Sequence, residues 1–164
     1  MLKKLGADTS RTRFLSWNFE TQPVDGLPAA LAGLAHDPAR PTLTIWEGVT
    51  MYLTEKANSD TVAAIHAFSA PNSRLLVNYV DRVRIEQPLT AFRIAGWAGE
   101  PACFGWDPIE LPGWLRERGF VVLSDHADRA LAARYFPPAL AHAFPDRGGH
   151  VALCAPIGAP GREK

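Results

Sequence analysis

A carboxylate, a glycine and a tyrosine fall close together in the stretch Trp46-Glu47-Gly48-Val49-Thr50-Met51-Tyr52-Leu53-Thr54. Glycine beside the carboxylate lets backbone approach a ligand closely. Tyr52 adds a ring and a hydroxyl just ahead of a helical pattern. The set could hold a small ligand, with Glu47 and Gly48 as binding groups beside it. Equally, Trp46 and Leu53 could be core and Glu47 a solvated turn residue. A second group stands at Tyr79-Val80-Asp81-Arg82-Val83-Arg84. Tyr79 and Arg82, with Arg84, could meet an anionic substrate there, and the alternative is a solvated helix face. Other groupings carry less. His142, His150 and Cys154 match no zinc spacing, so no metal is expected. Trp97, Trp106 and Trp114 suit a core and a cleft lining, and Cys103 suits a small buried hydrophobe.

The elements that must place these residues can be read from pattern. Arg13–Trp17 is apolar enough for a strand ending at Asn18, and Asp25 could cap a helix carrying Leu27, Leu31 and Leu34. Thr42–Trp46 is rich in β-formers and ends at Glu47-Gly48. Thr54 has the chemistry of a helix N-cap, with Glu55 in the first turn. Ala57, Thr61, Ile65 and Phe68 then share one helical face, and Pro71-Asn72 stops the helix. Ser73–Val80 is the next strand, so residues 42–80 read as a βαβ unit with parallel strands. Asp81–Gln87 is helical up to Pro88. Asp107-Pro108-Ile109-Glu110 resembles a capping box, although Pro112 moves the helix start toward Leu111. Phe120–Leu123 is a strand, Ala130–Tyr135 a helix and His150–Cys154 a last strand. The expected class is α/β: a mostly parallel sheet with helices on both faces and a terminal antiparallel strand inserted between neighbours. In such sheets ligands sit beyond the carboxyl ends of the strands, here Asn18-Phe19, Glu47-Gly48 and Tyr79–Asp81.

Composition narrows the partners. The 164 residues carry 17 basic and 17 acidic side chains, for a formal net charge of zero. That gives no basic footprint for nucleic acid or an anionic membrane. No apolar run approaches the roughly 18 residues of a spanning helix, and the N-terminus has no signal-peptide h-region. The two cysteines lie far apart, which suits a reducing, cytoplasmic setting. Thirteen glycines and fourteen prolines imply many turns and short elements.

The stretch Ile45-Trp46-Glu47-Gly48-Val49-Thr50-Met51-Tyr52-Leu53-Thr54-Glu55 resembles the signature of the leucine carboxyl methyltransferase family. It is most similar to the family's bacterial branch of S-adenosylmethionine-dependent methyltransferases. Further segments agree in order: Trp17-Asn18-Phe19-Glu20, Ala70-Pro71-Asn72-Ser73-Arg74-Leu75, Gly99-Glu100-Pro101 with Phe104-Gly105-Trp106-Asp107-Pro108, then Leu115–Phe120 and Leu131-Ala132-Ala133-Arg134-Tyr135. The resemblance implies a class I methyltransferase (Rossmann-like) fold and S-adenosyl-L-methionine as cofactor. It places Asn18 and Phe19 at the adenine, with Asn18 standing where the family normally has Asp. It places Glu47 facing the methionine end, where a sulfonium and an ammonium group would favour its charge, and Tyr52 near the methyl-transfer centre.

The resemblance also implies a carboxylate acceptor on a small molecule or peptide. Family members are longer and carry a Gly-rich turn and first strands ahead of the segment matched here. The chain is therefore expected to form one partial domain over 1–156, lacking that Gly-rich motif, with a flexible tail over 157–164. Two functions are open to such a chain. One is an S-adenosylmethionine-dependent O-methyltransferase, its activity in question through truncation. The other is a non-catalytic remnant that self-associates as a homo-oligomer, or binds a partner, through an exposed strand at 13–17.

Overall fold

The computed structural model describes residues 10–87 and 102–158. Expectations at Pro88, Trp97, Gly99–Pro101 and the tail beyond 158 lie outside the described residues. Four strands form one sheet: β1 (Leu43–Trp46), β2 (Arg74–Val80), β3 (Phe120–Ala127) and β4 (Gly149–Pro156). Their order is β1-β2-β4-β3. Six helices accompany them among the described residues: α1 (Leu27–Gly33), α2 (Glu55–Ala67), α3 (Val83–Glu86), α4 (Leu111–Arg116), α5 (Asp128–Tyr135) and α6 (Pro138–Ala141). None is long and apolar enough to cross a membrane.

The βαβ unit forms as its pattern implies. Thr54 Oγ1 accepts from the Ala57 amide at 3.2 Å and starts α2. Ala57, Thr61, Ile65 and Phe68 are all buried. Asn72 takes φ +69° after the helix, a left-handed turn that Asn tolerates. β2 then returns parallel to β1, with Thr44 opposite Leu75 and Trp46 opposite Val77. Helix α4 starts at Leu111 with proline in its first turn, while Asp107 Oδ1 accepts from the Ile109 amide at 2.9 Å just ahead of it. Asp25 does not cap α1, whose N-cap is Gly26.

The sheet is mixed rather than simply parallel. β4 lies between β2 and β3 and pairs antiparallel with both. Three of the four strands therefore run in one direction, but only the β1–β2 ladder is a parallel pair. The inserted terminal strand is where the sequence places it, and it converts two ladders to antiparallel.

The expected strand over 13–17 does not form: residues 12–18 have no sheet partner. A strand is held by its neighbour's hydrogen bonds, so local β-propensity without a partner leaves extended chain. A homo-oligomer through a preformed strand 13–17 therefore has no strand to use.

The two faces of the sheet differ. Trp46, Leu75, Val77, Tyr79, Ala152 and Cys154 are buried in a core shared with α2 and α4. On the other face Leu43 is 61% exposed and Ile45 60%.

Candidate functional site

At the end of β1 the chain passes from buried Trp46 to exposed Glu47 and Gly48. Gly48 has φ +68°, and among the described residues no atom beyond its chain neighbours lies within 4 Å of where its Cβ would be. Glycine is thus required by backbone conformation. The carboxylate of Glu47 has no partner among the described residues. The loop after this corner is firmly anchored. Residues Thr50–Tyr52 form a 3-10 turn. Thr50 Oγ1 donates to the Asn78 carbonyl at 2.9 Å, which ties the turn to β2. Fully buried Asn58 donates through Nδ2 to the carbonyls of Thr50 (3.0 Å) and Leu53 (3.2 Å). The Met51 carbonyl accepts from the amides of Cys103 (2.8 Å) and Phe104 (3.2 Å). Buried polar groups on β2 and α2 therefore fix the loop, while Tyr52 stays 43% exposed.

Asn18 and Phe19 reach this region through Glu20. The Glu20 carboxylate accepts from the Thr54 amide at 2.9 Å and joins the segment to the start of α2. Phe19 packs against the core. Asn18 Oδ1 accepts from the amides of Glu20 (3.0 Å) and Thr21 (3.1 Å). This is an Asx-type turn, and it engages the side-chain oxygen of Asn18.

The tip of β2 is arranged differently from the expectation. Tyr79 is fully buried, and its hydroxyl donates to Asp125 Oδ2 at 2.5 Å. Its ring stacks on His150 at 5.0 Å between centroids. Burial, with the Asp125 carboxylate beside it, pushes the phenol pKa upward. Its side chain thus faces the core and offers no surface to a substrate. Arg82 is committed to Glu110, 2.7 Å away. The carboxylate that sequence reasoning missed is Asp81, only 1% exposed. Arg147 donates to it through two nitrogens, at 2.6 and 2.8 Å. Asp81 Oδ1 also accepts from the Val83 amide at 3.0 Å. An acid placed directly after an apolar strand and before a basic run was the available signal. Cys103 is exposed rather than buried, and Cys154 lies in the core with burial pushing its thiol up to about 12.

Three grooves stand out among the described residues. The largest, about 470 Å³, runs along the outside of α2 between Val24 and Ala64 and does not include Glu47 or Tyr52. A second, about 300 Å³, adjoins it at Phe19 and Glu20. A third, about 230 Å³, lies between Met51, the end of β2 and the start of β4. Only the third lies where strand ends of an α/β sheet normally receive a ligand.

The chain is similar to several known proteins. The leucine carboxyl methyltransferase family model matches residues 1–66. A Streptomyces avermitilis protein named for S-adenosyl-L-methionine-dependent methyl transfer is 38% identical over 117 residues, 68% of this chain and 38% of that protein. A Frankia alni protein of the same naming is 34% identical over 137 residues, 78% of this chain and 45% of that one. The chain thus spans less than half the length of these curated relatives. Among solved structures, the methyltransferase complexed with the Haloferax volcanii activator Trm112 aligns with a TM-score of 0.54 at 15% identity, over 98% of this chain and 67% of that one. The methyltransferase SibL aligns with 0.51 at 14% identity, over 95% of this chain and 38% of that one. At such identities these structures show a shared fold alone. The signature around Glu47 falls within the matched residues, and over residues 1–66 the chain is similar to the leucine carboxyl methyltransferase family.

Proposed function

We propose that the chain serves S-adenosylmethionine-dependent O-methyl transfer to a carboxylate of a small molecule or peptide. The observation that carries this reading is the Glu47-Gly48 corner. A carboxylate without a partner among the described residues stands at a strand tip, beside a left-handed glycine. The cofactor's methionine end is cationic at both sulfonium and ammonium, and an unpaired carboxylate suits it. Phe19 supplies an apolar surface for adenine. Asn18 cannot accept from the adenine amino group through Oδ1, because its own turn uses that oxygen. What remains at this position is the side-chain amide as a donor.

When bound, the cofactor supplies an electrophilic methyl: the oxygen–methyl bond forms as the sulfur–methyl bond breaks, and the electron pair stays on sulfur. A carboxylate nucleophile is already ionised at neutral pH. The chain's own residues therefore need no proton transfer. Their work is alignment and exclusion of water. The anchored 3-10 turn fixes Tyr52 beside the corner, and Glu47 orients the cationic end.

Calorimetric titration with S-adenosylmethionine tests the reading. Binding is expected, and Glu47→Ala should weaken it by about 1–3 kcal/mol for a lost charged contact. No binding at millimolar cofactor, or equal affinity for the variant, would overturn it. A second reading, a non-catalytic self-associating or partner-binding module, is supported by the exposed Leu43 and Ile45 on one sheet face and by Phe14, 76% exposed.

A further inference from the structure

The strand-tip groove of about 230 Å³ contains one feature that the proposed reaction does not use. Arg84 lines it and is partly buried. Its Nε donates to the Arg147 carbonyl, which fixes the plane of the guanidinium. Its two terminal nitrogens make no ion pair or hydrogen bond among the described residues. Arg82, two positions earlier, is already neutralised by Glu110. Arg82, at the N-cap of α3, thus meets a protein carboxylate, while Arg84 within the helix lines a cavity. A planar guanidinium held by one nitrogen presents the remaining fork to a planar anion. Met51, Val80 and Pro145 give the same cavity apolar walls.

Across the groove stands Asp128. It has no ion pair among the described residues. Its carboxylate lies against the backbone of Gly149, where a Cβ would collide with Oδ2. Burial raises its pKa. A carboxylate in the same small cavity disfavours a dianion such as phosphate and tolerates a singly charged group. The volume admits a group of about the size of one amino acid, below the usual range for a whole ligand.

We propose that this groove is an anchoring subsite in which Arg84 holds a carboxylate carried on a small apolar body. This carboxylate is distinct from the oxygen that is methylated. A guanidinium draws charge from the oxygens it binds and makes them poor nucleophiles. The anion at Arg84 is therefore held and not methylated. The substrate class is a bifunctional acid, with one carboxylate seated at Arg84 and a separate acceptor oxygen toward Tyr52. The terms substrate and acceptor rest on the methyltransferase reading, whereas the carboxylate subsite does not.

The test uses the full chain, labelled with ¹³C at the methionine methyls and titrated with 3-methylbutanoate. The sequence has two methionines, so Met51 is assigned with a single Met51→Leu spectrum. A saturable shift of the Met51 methyl is expected. Arg84→Gln should weaken binding at least about tenfold, and Arg84→Lys should retain part of it as charge without the fork. Arg84→Lys also serves if Arg84→Gln fails to fold. Binding by Arg84→Gln within twofold of wild type would overturn the proposal. So would loss of binding in Arg82→Gln but not in Arg84→Gln, a shift with inorganic phosphate as strong as with 3-methylbutanoate, or no shift at all. Cofactor titration runs separately. Failure there with an intact Met51 shift removes the methyltransferase reading and leaves the subsite.

Discussion

Tyr79 and Asp125 show how a residue's neighbours decide its role. The phenol donates at 2.5 Å to a carboxylate that also lies 3.3 Å from His150 Nδ1. Burial alone would raise the Asp125 pKa. The hydrogen bonds from His150 and Tyr79, with the nearby His150 and His126, outweigh it and hold the pKa below the ordinary 3.8. A depressed folded-state pKa gives stability that is present above 3.8 and is lost as pH falls through the lower folded value. Tyr79→Phe should therefore cost about 1–2 kcal/mol at neutral pH, because a half-buried carboxylate loses a donor. The gap to wild type should narrow at pH 3. Urea unfolding at the two values checks this, and a gap independent of pH would mean that the hydroxyl contributes packing alone. None of this was legible in the sequence, where Tyr79, Asp125 and His150 stand far apart. They meet only because β4 lies between β2 and β3, with Tyr79 opposite His150. The tyrosine read as a substrate contact from its place near a strand tip is instead a core residue. Asn18 also closes a turn of its own, accepting from the amides of Glu20 and Thr21.

Among the elements, α2 has the task of holding the signature loop, and its start is where two segments meet. Thr54 accepts from Ala57 through its hydroxyl and donates its own amide to Glu20. Thr54→Ala should cost about 0.5–2 kcal/mol, the usual range for a lost N-cap. Its backbone bond to Glu20 survives the change, whereas the longer bond that the hydroxyl donates to Glu20 Oε2, at 3.4 Å, is lost with the cap. Thermal unfolding of Thr54→Ala beside Thr54→Ser checks this, since serine restores the acceptor. Equal destabilisation by both would count against the cap. This element was readable because its signals are local: a capping hydroxyl, a four-residue apolar spacing and a Pro-Asn stop. The strand over 13–17 was misread for the opposite reason. Its composition is local, but its existence depends on a neighbour. The Asp81–Arg147 pair escaped for a related reason, since its partners are brought together by a sheet register that no window of sequence contains.

For the whole molecule, the asymmetry of the sheet is the governing fact. An α/β sheet with parallel strands is normally covered on both faces. Here one face is packed, while Leu43 and Ile45 on the other stand 61% and 60% exposed on the edge strand β1. β1 pairs with β2 on one side only. An edge strand without charge, bulge or proline is a template for pairing, and apolar side chains beside it add a surface that water disfavours. Leu43-Thr44-Ile45-Trp46 carries none of these protections. The chain should therefore associate in a concentration-dependent way through β1 and not through residues 13–17. Leu43→Lys with Ile45→Lys should shift it toward monomer without unfolding it, because neither side chain belongs to the buried core. Sedimentation velocity across a hundredfold range of concentration measures this. A wild type that stays monomeric throughout defeats the prediction. So does association that the double variant leaves intact and that Phe14→Lys removes, because the contact would then lie in the segment without a strand.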